Sequence, residues 1–134
     1  MQNQPEVSVL MGIYDKSADI TAVQRSVRSI LNQTFSDFEF LICDDGSSPQ
    51  IQSYLEETAR HDFRIRLVRP GNAILLPVKL NCCLAEARGT LLARMDGDDF
   101  SHPDRFAKQI DYLAKHPQIS FVGCNVRLTR AGQT

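Results

Sequence analysis

Hydrophobic residues along the chain follow two spacings that alternate. Short, continuous apolar runs rich in β-branched and aromatic residues predict buried strands. The segments between these runs repeat apolar residues every third or fourth position, as Val23, Val27 and Ile30 do, which predicts amphipathic helices. The predicted strands are, in chain order, Val7–Ile13, Phe38–Cys43, Ile65–Val68, Thr90–Met95 and Ile119–Val122, the last with an extension towards Leu128.

Residues that favour helix ends delimit the helices. Ser17 and Asp19 are candidate N-caps, proline suits a first helical turn, and Gly89 suits a C-terminal position. Four helices are therefore expected between the strands. They run, in chain order, from Ser17 or Asp19 to Leu31, from Pro49 to about Arg60, from about Pro77 to Gly89, and from Pro103 to Pro117.

Strands that alternate with helices indicate an α/β fold with a mostly parallel sheet and helices on both faces. The 134 residues suffice for one hydrophobic core, so we expect a single domain over residues 1–134. In such sheets ligands bind at the carboxyl ends of the strands. The informative residues should therefore follow the strands directly, and Tyr14, Asp44 and Asp96 stand at such positions.

The sharpest local motif is Asp96-Gly97-Asp98-Asp99, which places three carboxylates directly after the fourth predicted strand. A hard divalent cation such as Mg²⁺ or Mn²⁺ prefers oxygen ligands and relieves the repulsion between such carboxylates. Gly97 lets the backbone approach a ligand closely. A solvated acidic turn that caps the next helix explains the same residues, so the motif alone leaves both interpretations open.

A second acidic cluster, Asp44-Asp45-Gly46-Ser47, follows the second predicted strand. A carboxylate at a strand end accepts a hydrogen bond from a nucleobase imide N–H or a ribose hydroxyl. A β-turn followed by a helix cap is the alternative explanation. Because a parallel sheet brings both clusters to one edge, their combination favours a shared binding cleft.

Charge and glycine motifs exclude several classes of function. The formal net charge of −1 leaves no basic excess for phosphate binding along a nucleic acid, so a nucleic acid partner is not expected. The Rossmann G-x-G-x-x-G loop, the Walker A loop and the G-x-S-x-G elbow are all absent from the sequence. These absences argue against dehydrogenases, P-loop NTPases and α/β-hydrolases.

The sequence also bears on location and redox state. No apolar run approaches the roughly 18–20 residues of a membrane-spanning helix, and the N-terminus lacks the layout of a signal peptide. We therefore expect a cytoplasmic location, with peripheral contact to the inner face of the membrane left open. The four cysteines lack zinc-ligand spacing and are expected to be buried, reduced thiols: Cys43, Cys82, Cys83 and Cys124.

An ordered series of segments resembles the family 2 glycosyltransferases in order, spacing and residue. The resemblance extends from about Val7 to Leu128, which is nearly the whole chain. A lone D-x-D motif would be weak evidence, whereas the complete series is specific. The segments are Val7–Asp15, Ser29–Phe35, Phe38–Ser47, Asn81–Gly89, Met95–Asp99 and Pro103–Arg105.

The resemblance implies a GT-A fold, a nucleotide-sugar donor that is most often a UDP-sugar, and an inverting displacement assisted by Mg²⁺ or Mn²⁺. It implies that Asp45 faces the nucleobase, with Asp44 the less favoured choice, and that Gly12 and Tyr14 lie near the base and ribose. The remaining implied roles belong to the segment after the fourth strand: Asp96 contacts the sugar nucleotide, and Asp98 or Asp99 holds the metal.

The chain departs from the family pattern in places that limit these implications. Asp15 stands where asparagine is commoner, and Leu80 replaces the arginine that often precedes Asn81, with Lys79 beside it. No residue matches the catalytic general base that takes the acceptor proton. We therefore expect a donor-binding fragment of a longer enzyme that glycosylates a glycan or lipid-linked acceptor in surface polysaccharide or cell-envelope glycan synthesis.

Two alternative functions belong to other classes. A metal-dependent phosphotransferase or phosphatase could use Asp96 and Asp98, although such enzymes of the haloacid dehalogenase type carry their D-x-D after the first strand. A truncated, non-catalytic nucleotide-sugar-binding module is the other alternative. An exposed sheet edge would then favour a homo-oligomer, because unpaired strand groups seek partners.

Overall fold

The computed structural model describes residues 3–13, 17–72 and 75–130, and within these ranges four strands alternate with four helices. None of the described helices is both long and apolar enough to cross a bilayer. The elements are β1 (Val7–Gly12), α1 (Ile20–Leu31), β2 (Phe38–Cys43), α2 (Pro49–His61), β3 (Ile65–Val68), α3 (Leu76–Glu86), β4 (Leu91–Arg94) and α4 (Arg105–Lys115).

The strands form one parallel sheet in the order β3-β2-β1-β4. β1 lies inside the sheet and pairs with β2 along its whole length, while its other side pairs with β4. The chain thus moves outward from β1 to β2 and β3, and then returns to add β4 on the opposite side. Strand order reverses between β1 and β4, and a crevice opens at such a reversal in α/β sheets.

Helices cover both faces of the sheet, as the alternating pattern predicts. Successive residues of a strand point to opposite faces, so Val9 and Leu10 of β1 belong to different cores. Val9 packs in the larger core with residues of α1, α2 and α4, including Phe106. Leu10 packs in a smaller core under α3, where it meets Cys83.

The helix starts follow from local sequence. Asp19 has an extended backbone, and its carboxylate accepts a hydrogen bond of 2.9 Å from the N–H of Thr21, which caps α1. Ser48 caps α2 through a bond of 3.3 Å from the N–H of Ile51, and Pro49 occupies the first turn. These two predicted helix starts are confirmed.

The predicted fifth strand, Ile119–Val122, is wrong. Residues 121–130 form no strand, and no described strand pairs with them. Phe121 and Leu128 are 83% and 92% exposed. An apolar run becomes a strand only where a neighbouring strand accepts its backbone hydrogen bonds and its side chains pack, and this segment has neither in the described structure.

The predicted role of Gly89 as the end of the third helix is also wrong, because α3 ends at Glu86 and Ala87 is its C-cap. Gly89 instead lies directly against β1. A Cβ atom there would fall 2.5 Å from the backbone nitrogen of Ser8 and 2.7 Å from the carbonyl carbon of Val7. The glycine is therefore required by the close approach of the chain entering β4 to β1.

Replacing Gly89 with alanine should destabilise the fold by about 2–3 kcal/mol, because the new methyl group meets backbone that cannot move without shifting β1. Gly123→Ala is the matched control, since nothing lies within 4 Å of a Cβ built there. Urea unfolding of both variants measures the difference. Equal midpoints for the two variants would contradict the packing described for Gly89.

A buried carboxylate ties the amino ends of the strands together. Glu39 of β2 is 3% exposed and accepts hydrogen bonds from the Ser8 hydroxyl at 2.7 Å and the Arg88 backbone N–H at 2.6 Å. The guanidinium groups of Arg66 and Arg88 donate to its other oxygen. Burial raises the pKa of Glu39, but these hydrogen bonds outweigh burial and hold its pKa below the ordinary value.

Glu39→Gln should lower the free energy of unfolding at pH 7 by about 2–3 kcal/mol, since it removes a buried charge that two guanidinium groups need. A carboxyl with a lowered folded pKa stabilises above its unfolded pKa and loses this effect as pH falls through the folded value. The difference between wild type and variant should therefore shrink below about pH 4.5, the ordinary value. Urea titrations at pH 7 and pH 3 measure it.

Glu86→Gln is the control for that experiment. Glu86 also pairs with Arg66, at 3.0 Å, but its side chain is 54% exposed. An exposed pair of this kind contributes less than about 1 kcal/mol. If both variants lost the same stability, or if the Glu39→Gln difference were constant with pH, the buried network would not have the role assigned to it.

Candidate functional site

A cleft of about 530 Å³ opens at the carboxyl ends of β1 and β4, where the strand order reverses. Its walls come from the end of β1, the start of α1, the first residue of α3 and the loop after β4. Three of the residues predicted as site residues, Gly12, Asp96 and Asp98, line it. The topology thus brings together residues from three separate segments of the sequence.

The floor of the cleft depends on close packing of α3 against the end of β1. A Cβ at Gly12 would lie 2.7 Å from Cδ1 of Leu76 and 3.2 Å from Cβ of Lys79. Lys79 is 2% exposed, and its ammonium donates a hydrogen bond to the carbonyl oxygen of Ile13. Lys79, which lies beside the position where family members often carry an arginine, therefore contacts the backbone at the end of β1.

The loop after β4 gathers its carboxylates in one short turn. The Asp99 N–H donates to the Asp96 carbonyl oxygen at 3.4 Å, and an Asp96 carboxylate oxygen lies 3.2 Å from the Arg94 guanidinium. Burial raises the pKa of Asp99, and the nearby charges of Asp98 and Asp96 raise it further. The three carboxylates therefore repel one another in a way that a cation would relieve.

The donor set of this loop fits Mg²⁺ or Mn²⁺ held jointly with a phosphate-bearing ligand. Within residues 3–13, 17–72 and 75–130 no group of three or more His, Cys, Asp or Glu side chains is arranged to hold a metal alone. Mg²⁺ commonly binds one or two carboxylates and completes its shell with waters and substrate phosphates. Asp98 and Asp99, beside the cleft-lining Asp96, offer that incomplete set.

The second acidic cluster lies at the carboxyl end of β2 and outside the cleft lining. The Asp44 side chain is fully buried, 3.3 Å from an Arg69 guanidinium nitrogen, and its Oδ1 atom has no hydrogen-bond partner. Both carboxylate oxygens of Asp45 accept from the N–H of Gly71, at 2.9 and 3.1 Å. Asp44 is thus turned into the protein, whereas Asp45 joins the loops after β2 and β3.

Tyr14 and Asp15 lie outside the described residues, so their predicted positions stay predictions. His102 is exposed, and its Nδ1 accepts a hydrogen bond of 3.2 Å from the N–H of Asp104, just before α4 begins. Arg88 and Arg105 have structural contacts instead of ligand-facing positions. Arg88 forms its ion pair with Glu39, while Arg105 donates to the Arg94 carbonyl oxygen at 2.9 Å.

The cysteines differ from the expected burial at two positions, Cys82 and Cys124. Cys43 and Cys83 are buried, as predicted, and burial raises their pKa values to about 12 and about 11. Cys82 is half-buried and Cys124 is exposed, and all four are free thiols. The expectation of burial is wrong for Cys124 because its surrounding apolar run does not join the sheet.

Polar residues on α1 support the loop after β4 (residues 95–104, the acidic loop), and the sequence pattern did not predict this role. Ser26 donates to the Asp96 carbonyl oxygen at 2.7 Å, and Ser29 accepts from the N–H of Ser101 at 3.0 Å. Gln33, which follows the C-cap of α1, is buried against the same loop. Ser26 and Ser29 share the apolar face of α1, and polar residues on such a face were the available signal.

Arg69→Met should lower the free energy of unfolding by about 2–3 kcal/mol, because it leaves the buried Asp44 carboxylate without a counter-charge. Adding Asp44→Asn should recover part of this loss, since the unpaired charge disappears. Arg60→Met is the control, because its pair with Glu57 is exposed and contributes under about 1 kcal/mol. Urea unfolding of these variants and of Asp44→Asn alone measures this, and additive losses for Asp44→Asn and Arg69→Met would refute the pairing.

Comparison with known proteins agrees with this architecture. A model of the family described as Glycosyl transferase family 2 matches residues 8–130. EpsE of Bacillus subtilis, which bears the name of a glycosyltransferase, is 38% identical over 124 residues, or 92% of this chain and 44% of EpsE. WbnJ of Escherichia coli, named an O-antigen biosynthesis glycosyltransferase, is 35% identical over 127 residues, or 91% of this chain and 46% of WbnJ. The chain thus spans less than half the length of either relative.

Solved structures share the fold at lower identity. S. aureus TarS in complex with UDP matches 84% of this chain and 33% of its own, with a TM-score of 0.69 and 19% identity. The mannosyltransferase PcManGT from Pyrobaculum calidifontis, in complex with GDP-Man and Mn²⁺, matches the same shares, with a TM-score of 0.71 and 20% identity. Over the shared portion the chain has the GT-A fold that its sequence implied.

Proposed function

Because the chain belongs to glycosyl transferase family 2, we propose that it forms the nucleotide-sugar-binding part of a glycosyltransferase. The observation that carries the proposal is the cleft at the strand-order reversal, which Asp96 and Asp98 line together with Gly12 of β1. Ligands of open α/β sheets bind at this position. The UDP and GDP-Man complexes of the structural neighbours support a nucleotide-linked donor.

The proposed donor extends along the carboxyl edge of the sheet from β2 to β4. Its base is proposed to lie beside Asp45 and its ribose near Gly12; Tyr14, the other residue expected near the base and ribose, lies outside the described residues. The buried Asp44 is a poor candidate for base contact, because its carboxylate is committed to Arg69. The diphosphate then reaches the acidic loop, where Asp96 contacts the sugar nucleotide. A UDP-sugar is the donor we propose to test first.

A divalent cation, Mg²⁺ or Mn²⁺, is proposed to bind at Asp98 and Asp99 together with the donor diphosphate. When bound, the ion supplies Lewis-acid neutralisation of the charge that develops on the departing nucleoside diphosphate. Without it, the carboxylates of the loop would repel the donor phosphates. The Mn²⁺ complex of PcManGT supports this assignment.

The proposed reaction is an inverting displacement at the anomeric carbon by an acceptor hydroxyl. Such a displacement needs a general base to take the hydroxyl proton. Among the described cleft residues, Asp96 and Asp98 are assigned to the donor and the metal, and Asp19 caps α1, so we assign donor binding to this chain. The acceptor is proposed to be a glycan or lipid-linked sugar, since WbnJ is named for O-antigen biosynthesis.

Titration calorimetry with UDP should show binding that Mn²⁺ strengthens by at least about tenfold, because the ion joins the acidic loop to the diphosphate. Asp98→Ala should abolish the gain from Mn²⁺. Asp111→Ala, on the exposed Lys115 pair of α4, is the control and should bind as wild type does. Absence of binding to UDP, GDP and dTDP, with or without metal, would refute a donor site in this chain.

A further inference from the structure

A stripe of buried polar side chains runs along one side of α1 and faces the acidic loop. Ser26, Ser29 and Gln33 are spaced by three and four residues, so they align along the helix and its C-terminal extension. All three are less than a tenth exposed. Burying polar groups costs free energy unless they are hydrogen-bonded, and these three are.

The three side chains of the stripe form hydrogen bonds with successive parts of the loop, from its start to its end. Ser26 contacts the backbone of Asp96 at the start, and Ser29 contacts the backbone of Ser101 further along. The amide nitrogen of Gln33 donates to the Ser101 hydroxyl at 3.1 Å and to the His102 carbonyl oxygen at 2.8 Å. The loop is therefore held at several points by one helix from a distant part of the sequence.

Gln33 makes the largest share of these contacts, because it uses both ends of its amide. Its nitrogen also donates to the Ser29 carbonyl oxygen at 3.1 Å, and its oxygen accepts from the N–H of Phe106 at 3.1 Å. That N–H is in the first turn of α4, where helix donors lack partners within the helix. Asp104, at the N-cap position, makes no side-chain capping bond, so Gln33 supplies a bond that the local sequence does not.

We propose that Gln33 is a positioning residue for the metal-binding part of the donor site. It holds the end of the loop, at Ser101 and His102, against α1 and the start of α4, while Ser26 holds the beginning of the loop at Asp96. Asp98 and Asp99, between these two points, are thereby presented in one arrangement. A metal with few protein ligands depends strongly on how groups behind the ligands orient them. This inference rests on the proposed function, because it assumes that the loop meets a metal-bound diphosphate.

A second glutamine provides a matched comparison on the same edge of the sheet. Gln52 of α2 donates from its amide nitrogen to the Ser47 carbonyl oxygen at 2.8 Å. It therefore supports the loop after β2, which contains Asp45, in the way that Gln33 supports the loop after β4. Because the two loops serve different parts of the donor, loss of either glutamine should have a different effect.

The test compares Gln33→Met and Gln52→Met by titration calorimetry with UDP, each with and without Mn²⁺. Methionine keeps the length and apolar stem of glutamine and removes its hydrogen bonds. Gln33→Met should lose most of the gain in UDP affinity from Mn²⁺, a drop of about tenfold when Mn²⁺ is present, with metal-free affinity within about twofold of wild type. Gln52→Met should keep the manganese gain.

Hydrogen exchange gives a readout that needs no ligand. Backbone amides of residues 96–106 should exchange faster in Gln33→Met, while those of residues 44–48 should not change, and Gln52→Met should show the reverse. Should Gln33→Met fail to fold, Ser29→Ala removes one bond of the same stripe and should give a smaller loss of manganese gain. Thermal unfolding identifies which variant is folded.

The outcomes separate the two proposals. A folded Gln33→Met protein with the full manganese gain and unchanged exchange in residues 96–106 would overturn the role of Gln33 and leave the donor site standing. Wild-type protein that binds no UDP with Mn²⁺ would overturn the proposed function instead. In that case the exchange comparison still decides whether Gln33 holds the loop.

Discussion

The pairing of β1 with a parallel neighbour on each side is the constraint on which the rest of the structure depends. All six residues of β1 are buried, so its hydrogen-bonding groups must be satisfied within the sheet. Since every strand is parallel, the loops that follow β1, β2 and β4 all leave from one edge. Because the chain leaves β1 towards β2 on one side and adds β4 on the other, the cleft opens at the carboxyl ends of β1 and β4.

The amino ends and the carboxyl ends of the strands form two opposite edges of the sheet, and the residues at these two edges have different roles. At the amino edge, Glu39 accepts a hydrogen bond from the Arg88 N–H, and Gly89 has no side chain to prevent close packing. The chain entering β4 therefore lies close to β1, which fixes the position of β4 in the sheet. At the carboxyl edge, Asp44 and Asp45 have partners within the protein, whereas the loop after β4 carries three carboxylates that repel one another. Grouping the carboxylates after β4 costs free energy because they repel one another. The polar stripe of α1 stabilises this loop through hydrogen bonds to its backbone, which leaves the carboxylate side chains available to a ligand.

The sequence predicted most of the fold because the evidence for it is local. Apolar runs and helix-end residues such as Asp19 placed eight elements to within a few residues, and parallel topology then put Asp96 at a ligand edge. The predictions that failed concerned residues whose structure depends on partners distant in sequence. Nothing in the apolar run at Ile119 indicated that it would pair with no strand among the described residues, and nothing near Asp44 indicated that Arg69 would pair with its buried carboxylate. The role of Gln33 was not predicted because its contacts with the acidic loop and α4 lie 68 or more residues away.

The position of β1 also orders events during synthesis of the chain. β2 is made one helix after β1, but β4 is the last of the four strands to emerge. Until then one side of β1 presents unpaired N–H and C=O groups, which are a template for pairing with other chains. The contacts of Gln33 likewise join segments that are made far apart in time, and contacts of long sequence separation form slowly. The cleft is therefore among the last parts of the domain to form, and a chain interrupted before β4 exposes an aggregation-prone edge.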